Sequence, residues 1–79
     1  MERNEIFESL NEIFADVLEL DEIALTEDTT ANDVEGWDSL SHITLICEVE
    51  NEFGIKFPMK SVLGMKNVGE MVDIISELA

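Results

Sequence analysis

Apolar residues recur at helical spacing in three segments of the chain. From Asn4 to Leu20 they follow three- and four-residue steps with acids between them, a pattern typical of an amphipathic helix with one buried face. Similar spacing predicts helices from about Ser39 to Phe53 and from Asn67 onward, with a short helix or turn over Met59 to Met65. We therefore predict an all-α fold: a small four-helix bundle of three main helices plus one short helix, with a long first loop. The last helix is expected to pack on the first two.

The long first loop, residues 21–37, has no sustained hydrophobic period and is rich in Thr, Asp and Asn, which favour turns. Its apolar residues are expected to anchor both ends to the core; they are Ile23, Leu25, Val34 and Trp37. A calcium-binding EF-hand does not fit, because Gly36 at its sixth position would put Ala31 first and His42 twelfth, where carboxylates are required. Weak, diffuse binding of divalent ions remains open.

Local signals also mark the helix ends. Gly54 is placed to end the second helix in a left-handed conformation, and Pro58 prevents a helix from continuing through the next segment. Asn67 followed by Glu70 predicts a variant of the capping box at the start of the last helix.

The start of the second helix singles out one hydroxyl group. Asp38 is a favourable N-cap residue, which would place Ser39 at the first helical position with its hydroxyl facing outward. A phosphate ester on that oxygen would lie beside unsatisfied backbone amides and the positive end of the helix dipole. Gly36 permits the sharp turn that precedes it. Ser39 is therefore the candidate functional residue.

The second predicted helix carries more apolar surface than one core-facing stripe requires. One stripe comprises Ile46, Val49 and Phe53 with Leu45 at its flank, and the neighbouring stripe comprises Leu40, Ile43 and Cys47. Both could be buried in a small bundle. We favour the interpretation in which Leu40 and Ile43 stay partly exposed beside Ser39, as in a transient docking surface. The acids expected to steer basic partners toward it are Asp38, Glu48, Glu50 and Glu52.

Composition limits the classes of function. With 79 residues we predict a single domain over 1–79, without room for a large catalytic scaffold. Nineteen acids against four bases give a net charge of -15, which argues against nucleic acid or an anionic membrane as a partner and favours basic protein surfaces. The lone Cys47 cannot form an internal disulfide, and neither a signal peptide nor a bilayer-spanning apolar run is recognisable. A cytoplasmic setting without membrane contact is therefore expected.

The residues around Ser39 resemble those of a known family. Asp38-Ser39-Leu40 resembles the Asp-Ser-Leu modification site of acyl carrier proteins, and residues 41–57 resemble that family's second helix and its closing turn. The similarity runs over essentially the whole chain. The resemblance implies that a phosphopantetheinyl transferase, using coenzyme A and magnesium, attaches a 4′-phosphopantetheine arm to Ser39. Acyl groups would be carried as thioesters on the thiol of that arm, and the chain itself would not be an enzyme.

The same resemblance implies roles for neighbouring residues and partners. Asp38 would cap the helix and orient the serine, Leu40 would sit below the arm, and Ile43 would touch partner proteins. The expected partner surface comprises Leu40, Ile43, Cys47 and Glu48. The implied partners are the transferase and acyl-loading and acyl-processing enzymes with basic docking surfaces, which would meet a monomeric carrier.

The pathway and cargo stay open at this point. Trp37 before Asp38, and Ser41-His42 after Leu40, depart from the commonest fatty-acid-synthesis carriers and resemble stand-alone carriers of specialised pathways. Fatty acyl, polyketide, hydroxyacyl and peptidyl or aminoacyl cargo are all compatible with the chain. An unmodified acidic helical adaptor is the alternative from a different class.

A catalytic interpretation of the same residues is disfavoured. Asp38, Ser39 and His42 are the residue types of a hydrolytic triad, but neighbours on one helix start point in different directions, and an esterase needs a larger domain. We expect His42 to face solvent and Cys47 to be a small packing residue rather than the cargo-bearing thiol. One Cys and one His do not make a metal site, so no metal is predicted.

Overall fold

The computed structural model describes residues 2–79 and contains four α-helices there. They are α1 (Arg3–Val17), α2 (Ser39–Phe53), α3 (Met59–Leu63) and α4 (Val68–Leu78), and no strand occurs in that part of the chain. The predicted all-α fold with three main helices, one short helix and a long first loop is confirmed. Within the same residues, none of the helices is both long enough and apolar enough to cross a membrane.

The first helix, α1, ends earlier than its apolar pattern predicts. Its fully buried residues are Ile6, Leu10 and Phe14. The helix stops at Val17 because Glu19 adopts a left-handed conformation, with φ of 54°. The amide of Leu20 then donates to the carbonyl of Ala15 at 2.8 Å, the Schellman type of helix end with Glu where Gly is usual. The predicted end at Leu20 is wrong because Leu18 and Leu20 pack against the core from the loop and so prolong the apolar pattern.

The second helix, α2, has the predicted bounds and both predicted end signals. Asp38 is its N-cap, and Gly54 ends it in a left-handed conformation with φ of 66°. The core-facing residues Ile46 and Val49 are buried, and Phe53 packs against the core as a partly buried residue. Leu45 was expected at the flank but is fully buried, so the core stripe is wider than predicted.

The last two helices are shorter or capped differently than the sequence suggests. Helix α3 stops at Leu63, with Gly64 as its C-cap, before the predicted end at Met65. At the start of α4, Oδ1 of Asn67 accepts from the Glu70 amide at 2.9 Å, as predicted. The Glu70 carboxylate accepts from the Lys66 amide at 3.3 Å instead of closing a capping box on Asn67.

The core is organised around α1, which packs against both α2 and α4. The last helix was predicted to pack on the first two, and in the structure α4 packs mainly against α1. Loop 1, residues 18–38, adds Leu25, Val34 and Trp37 to the core. The Trp37 ring makes an edge contact with Phe14 at a centroid distance of 4.9 Å. This contact fixes the end of loop 1 directly before α2.

Loop 1 also docks against the start of α4. The carbonyl of Thr29 accepts from the Val68 amide at 2.8 Å, and that of Glu27 accepts from the Gly69 amide at 3.0 Å. These bonds satisfy amides that a helix start leaves unpaired. A Cβ on Gly69 would lie 2.8 Å from the Glu27 carbonyl oxygen, so only glycine allows this approach. Loop 1 is therefore held near its middle by α4 and near its end by the contact of Trp37 with Phe14.

Candidate functional site

The start of α2 is built by a reciprocal cap that leaves Ser39 exposed. Oδ1 of Asp38 accepts from the amides of Leu40 at 3.0 Å and Ser41 at 2.9 Å. The Ser41 hydroxyl accepts from the Asp38 amide at 2.8 Å and lies 2.8 Å from the Gly36 carbonyl oxygen, to which it donates. Gly36 has φ of 88°, which confirms the turn predicted there. Within residues 2–79 the Ser39 hydroxyl has no hydrogen-bond partner.

Ser41 is a site residue that sequence reasoning missed. The signal was present, because a hydroxyl three residues after an N-cap can return a bond to the cap amide, as Glu or Gln does in a capping box. The same cap corrects the expectation of free amides beside Ser39. Asp38 already occupies the amides of Leu40 and Ser41, so an anion on Ser39 would gain from the helix dipole but not from those two donors.

The cap also determines the charge state of Asp38. The hydrogen bond from the Ser41 amide lowers the pKa of the Asp38 carboxyl most; partial desolvation opposes this shift, and the Leu40 amide adds to it. The carboxylate is therefore ionised at neutral pH and committed to backbone donors. It is not placed to orient a general base.

His42 does not face solvent, contrary to the prediction. Its ring is half-buried, with Nδ1 3.1 Å from Nε1 of Trp37 and Nε2 3.3 Å from the carbonyl oxygen of Val62. Both ring nitrogens are thus engaged away from Ser39, and no triad with Asp38 is formed. The indole donor and the Val62 carbonyl, which lies on a different helix, explain why the ring turns inward.

A groove adjoins Ser39 on the side of α3. It has a volume of about 320 Å³ and lies between loop 1, the start of α2, α3 and the connection from α3 to α4. Its apolar lining includes Trp37, Ile43, Val62, Leu63 and Met65, and its polar lining includes His42 and Lys66. We call this space the Ser39 groove. It offers an apolar surface to a group attached at the serine.

All four residues of the predicted partner surface are exposed. Leu40 is 81% exposed and Ile43 is 52% exposed, which confirms their expected exposure. Cys47 is exposed too, so its expected packing role is wrong, and Glu48 lies beside it on the surface. Glu50, one of the acids expected to steer partners, is half-buried and accepts from the Phe57 amide at 2.7 Å, so it also has a structural role.

No metal centre is apparent in the described part of the chain, where no group of three or more His, Cys, Asp or Glu side chains could hold an ion. The acids are spread over the surface instead.

Comparison with known proteins places this architecture in a family. The family described as the phosphopantetheine attachment site matches residues 8–75. An acyl carrier protein of Clostridium perfringens is 38% identical over 72 residues, which cover 91% of this chain and 95% of that protein. An acyl carrier protein of Lactobacillus acidophilus is 34% identical over 95% of this chain and 94% of its own length.

A solved structure agrees with the sequence relatives. The solution structure of holo acyl carrier protein from Geobacter metallireducens superposes with a TM-score of 0.83 and is 41% identical, covering 90% of this chain and 82% of that one. The predicted resemblance and the predicted phosphopantetheine cofactor are thereby confirmed. The chain belongs to the acyl carrier protein family.

Proposed function

We propose that the chain is a discrete carrier whose 4′-phosphopantetheine arm is attached to Ser39. The observation that supports this most directly is the exposed Ser39 hydroxyl, which has no hydrogen-bond partner within residues 2–79, at the first position of α2. The site fits the group in two further respects. The positive end of the helix dipole favours a phosphodiester there, and the Ser39 groove offers apolar surface alongside.

The residues around the serine would hold and present the attached group. When bound, the arm supplies a thiol that holds an acyl group as a thioester. Asp38 and Ser41 fix the backbone on both sides of the attachment point, so the group would leave the helix in a defined direction. Leu40 and Ile43 would supply apolar contact area for partner enzymes.

The partners we propose are a phosphopantetheinyl transferase and acyl-loading and acyl-processing enzymes with basic docking faces. The net charge of -15 supports this, because complementary charge raises the rate of encounter more than the lifetime of the complex. Glu48 is an exposed acid within this surface. A carrier that visits several enzymes requires such short-lived complexes, and we propose that it does so as a monomer.

The pathway we propose is fatty-acid synthesis or a specialised-metabolite pathway, with a peptidyl or aminoacyl load as the alternative. The mass of the loaded protein isolated from its host would decide between these cargoes. An acyl mass supports the first proposal, whereas an amino-acid mass supports the alternative.

The attachment at Ser39 is tested by coexpression with a transferase. We expect the intact protein to gain the mass of one phosphopantetheine and Ser39→Ala to gain none, because the hydroxyl oxygen is the atom that forms the phosphodiester. Ser76→Ala, which changes an exposed serine on α4, is the matched control and should be modified as fully as the natural chain. Mass spectrometry of the intact proteins provides the measurement.

Two outcomes would contradict this proposal. One is a natural chain that gains no mass beside a transferase that modifies another carrier in the same cells. The other is modification that persists in Ser39→Ala. An unmodified acidic adaptor would instead bind a basic partner equally well with and without the serine.

A further inference from the structure

Three residues from three elements are joined by hydrogen bonds behind the Ser39 groove. Nε1 of Trp37, in loop 1, donates to Nδ1 of His42, in α2, at 3.1 Å. Nε2 of the same ring lies 3.3 Å from the carbonyl oxygen of Val62, in α3. Because an indole nitrogen only donates and a carbonyl only accepts, the neutral imidazole with its proton on Nε2 satisfies both neighbours. We call this chain of bonds the His42 bridge.

The His42 bridge forms the inner wall of the groove. All three of its residues line the groove, and Trp37 and Val62 are nevertheless each only 8% exposed. The Trp37 indole also meets Phe14, a fully buried core residue, in a perpendicular contact. A path from Ser39 into the helical core on this side therefore leads through the bridge.

Opening that wall would break the two hydrogen bonds of the His42 bridge, which is unfavourable in free energy. Separating α3 from α2 at this point breaks the bond to Val62, and displacing Trp37 breaks the bond from its indole. Each break leaves a donor or acceptor unpaired in apolar surroundings, where an unmade hydrogen bond is expensive. An alkyl chain can instead lie along Ile43 and Leu63, which already line the open groove.

Building on the proposed attachment at Ser39, we propose that His42 is a positioning residue that keeps the inner wall closed. A linear alkyl cargo of medium length then stays in the open Ser39 groove and does not enter the core between the helices. His42 thereby determines where this carrier keeps its cargo. The cargo remains accessible to processing enzymes without an opening step.

The bridge is first tested on the unmodified protein by nitrogen-15 NMR. The chain has one Trp and one His, so the indole and imidazole signals are unambiguous. We expect the imidazole to be the Nε2-protonated form and the indole N–H to be protected from solvent exchange. His42→Leu should lose this protection, whereas His42→Gln, whose carboxamide can both accept and donate, should retain most of it. An unprotected indole N–H, or the opposite tautomer, would overturn the bridge.

The location of the cargo is then tested on protein carrying an acetyl or an octanoyl group, prepared with a transferase and the matching acyl-coenzyme A. In the natural chain, the octanoyl form should shift methyl signals of Ile43 and Leu63, while those of Leu45 and Ile75 in the core stay as in the acetyl form. In His42→Leu the core signals should move as well. Thr44→Leu, an exposed change on α2 away from the groove, should behave as the natural chain does.

Trp37→Phe provides a second route should His42→Leu fail to fold. It removes the indole donor while keeping an aromatic ring against Phe14, and it should also admit the octanoyl chain to the core. Core shifts in the octanoyl form of the natural chain as large as those in the variants would overturn the inference. Failure of the transferase to add any mass would instead contradict the attachment at Ser39, so the two proposals fail separately.

Discussion

Two neighbouring residues at the start of α2, Asp38 and Ser39, differ sharply in the hydrogen bonds that their side chains form. The Asp38 carboxylate accepts hydrogen bonds from the amides of Leu40 and Ser41, and the Asp38 amide donates to the Ser41 hydroxyl. The Ser39 hydroxyl has no such partner within residues 2–79. A serine that is to receive a large covalent group benefits from this separation, because the modification can alter Ser39 without dismantling the cap.

Substitution of Asp38 tests the cap and its dependence on pH. We expect Asp38→Ala to lower Tm at pH 7, and Asp38→Asn to lower it less because Asn retains an acceptor oxygen. The Ser41 amide, and to a lesser degree the Leu40 amide, lowers the pKa of Asp38. The ionised carboxylate therefore stabilises the fold fully at pH values above the ordinary Asp pKa of 3.8. That stabilisation is lost as the pH falls through the lowered pKa that Asp38 has in the folded state. The Tm gap between the natural chain and Asp38→Asn should therefore close on acidification, as followed by circular dichroism.

A matched variant separates this effect from the titration of the other acids. Asp28→Asn removes the same charge from an exposed position in loop 1 and should leave Tm at pH 7 nearly unchanged. A gap for Asp38→Asn that stays constant down to the acid end of the titration would show that ionisation does not matter to the cap.

Residue-level features were predictable where they depend on one helix alone. The exposure of Ser39, Leu40 and Ile43 follows from their places in the first turns of α2 relative to a buried stripe. The bridge through His42 was not predictable, because its acceptor on Val62 is twenty residues further along the chain. Cys47 was wrongly expected to pack, since hydrophobic spacing alone does not show where a core ends.

The helix ends and the loop position were likewise predictable only where residues close in sequence determine them. The bounds of α2 were predicted because Asp38 and Gly54 are local start and stop signals. The end of α1 was missed because Glu19 adopts a left-handed conformation that its residue type does not announce. The docking of loop 1 on α4 had no sequence signal, since it joins the carbonyl of Glu27 to the amide of Gly69.

The docking of loop 1 on α4 predicts that Gly69→Ala is destabilising. Alanine usually stabilises a helix relative to glycine by up to about 1 kcal/mol. Here its Cβ would lie 2.8 Å from the Glu27 carbonyl oxygen, and forcing such a contact costs about 1–3 kcal/mol. We expect the steric term to prevail and the free energy of unfolding, measured by urea titration, to fall by about 1–2 kcal/mol.

The control for this change lies on the same helix. Ser76→Ala adds helix propensity at an exposed position of α4 and should leave stability equal or slightly higher. Equal or greater stability in Gly69→Ala would mean that loop 1 does not press on α4 as the structure describes.

For the molecule as a whole, electrostatic repulsion opposes the compact state. The net charge of -15 is confined within dimensions of 28 × 24 × 22 Å. At 0.01 M salt the screening length is about 30 Å, so the charges repel one another across the whole molecule, whereas at 0.1 M it is about 10 Å. Arg3 offsets part of this repulsion, because its guanidinium forms ion pairs with Glu27 of loop 1 and with Asp73 of α4, the latter at 2.8 Å.

Salt should therefore stabilise this protein, and loss of Arg3 should matter most at low salt. We expect Tm, measured by calorimetry, to rise between 0.01 M and 0.15 M NaCl because self-repulsion is screened. Arg3→Gln should lower Tm most at 0.01 M, since it removes both ion pairs while the repulsion is strongest. Lys56→Gln changes the net charge equally at an exposed position but leaves those pairs intact, so its effect should be smaller. Equal losses in the two variants would mean that only the total charge matters, and a Tm that falls with added NaCl would mean that local ion pairs outweigh the repulsion.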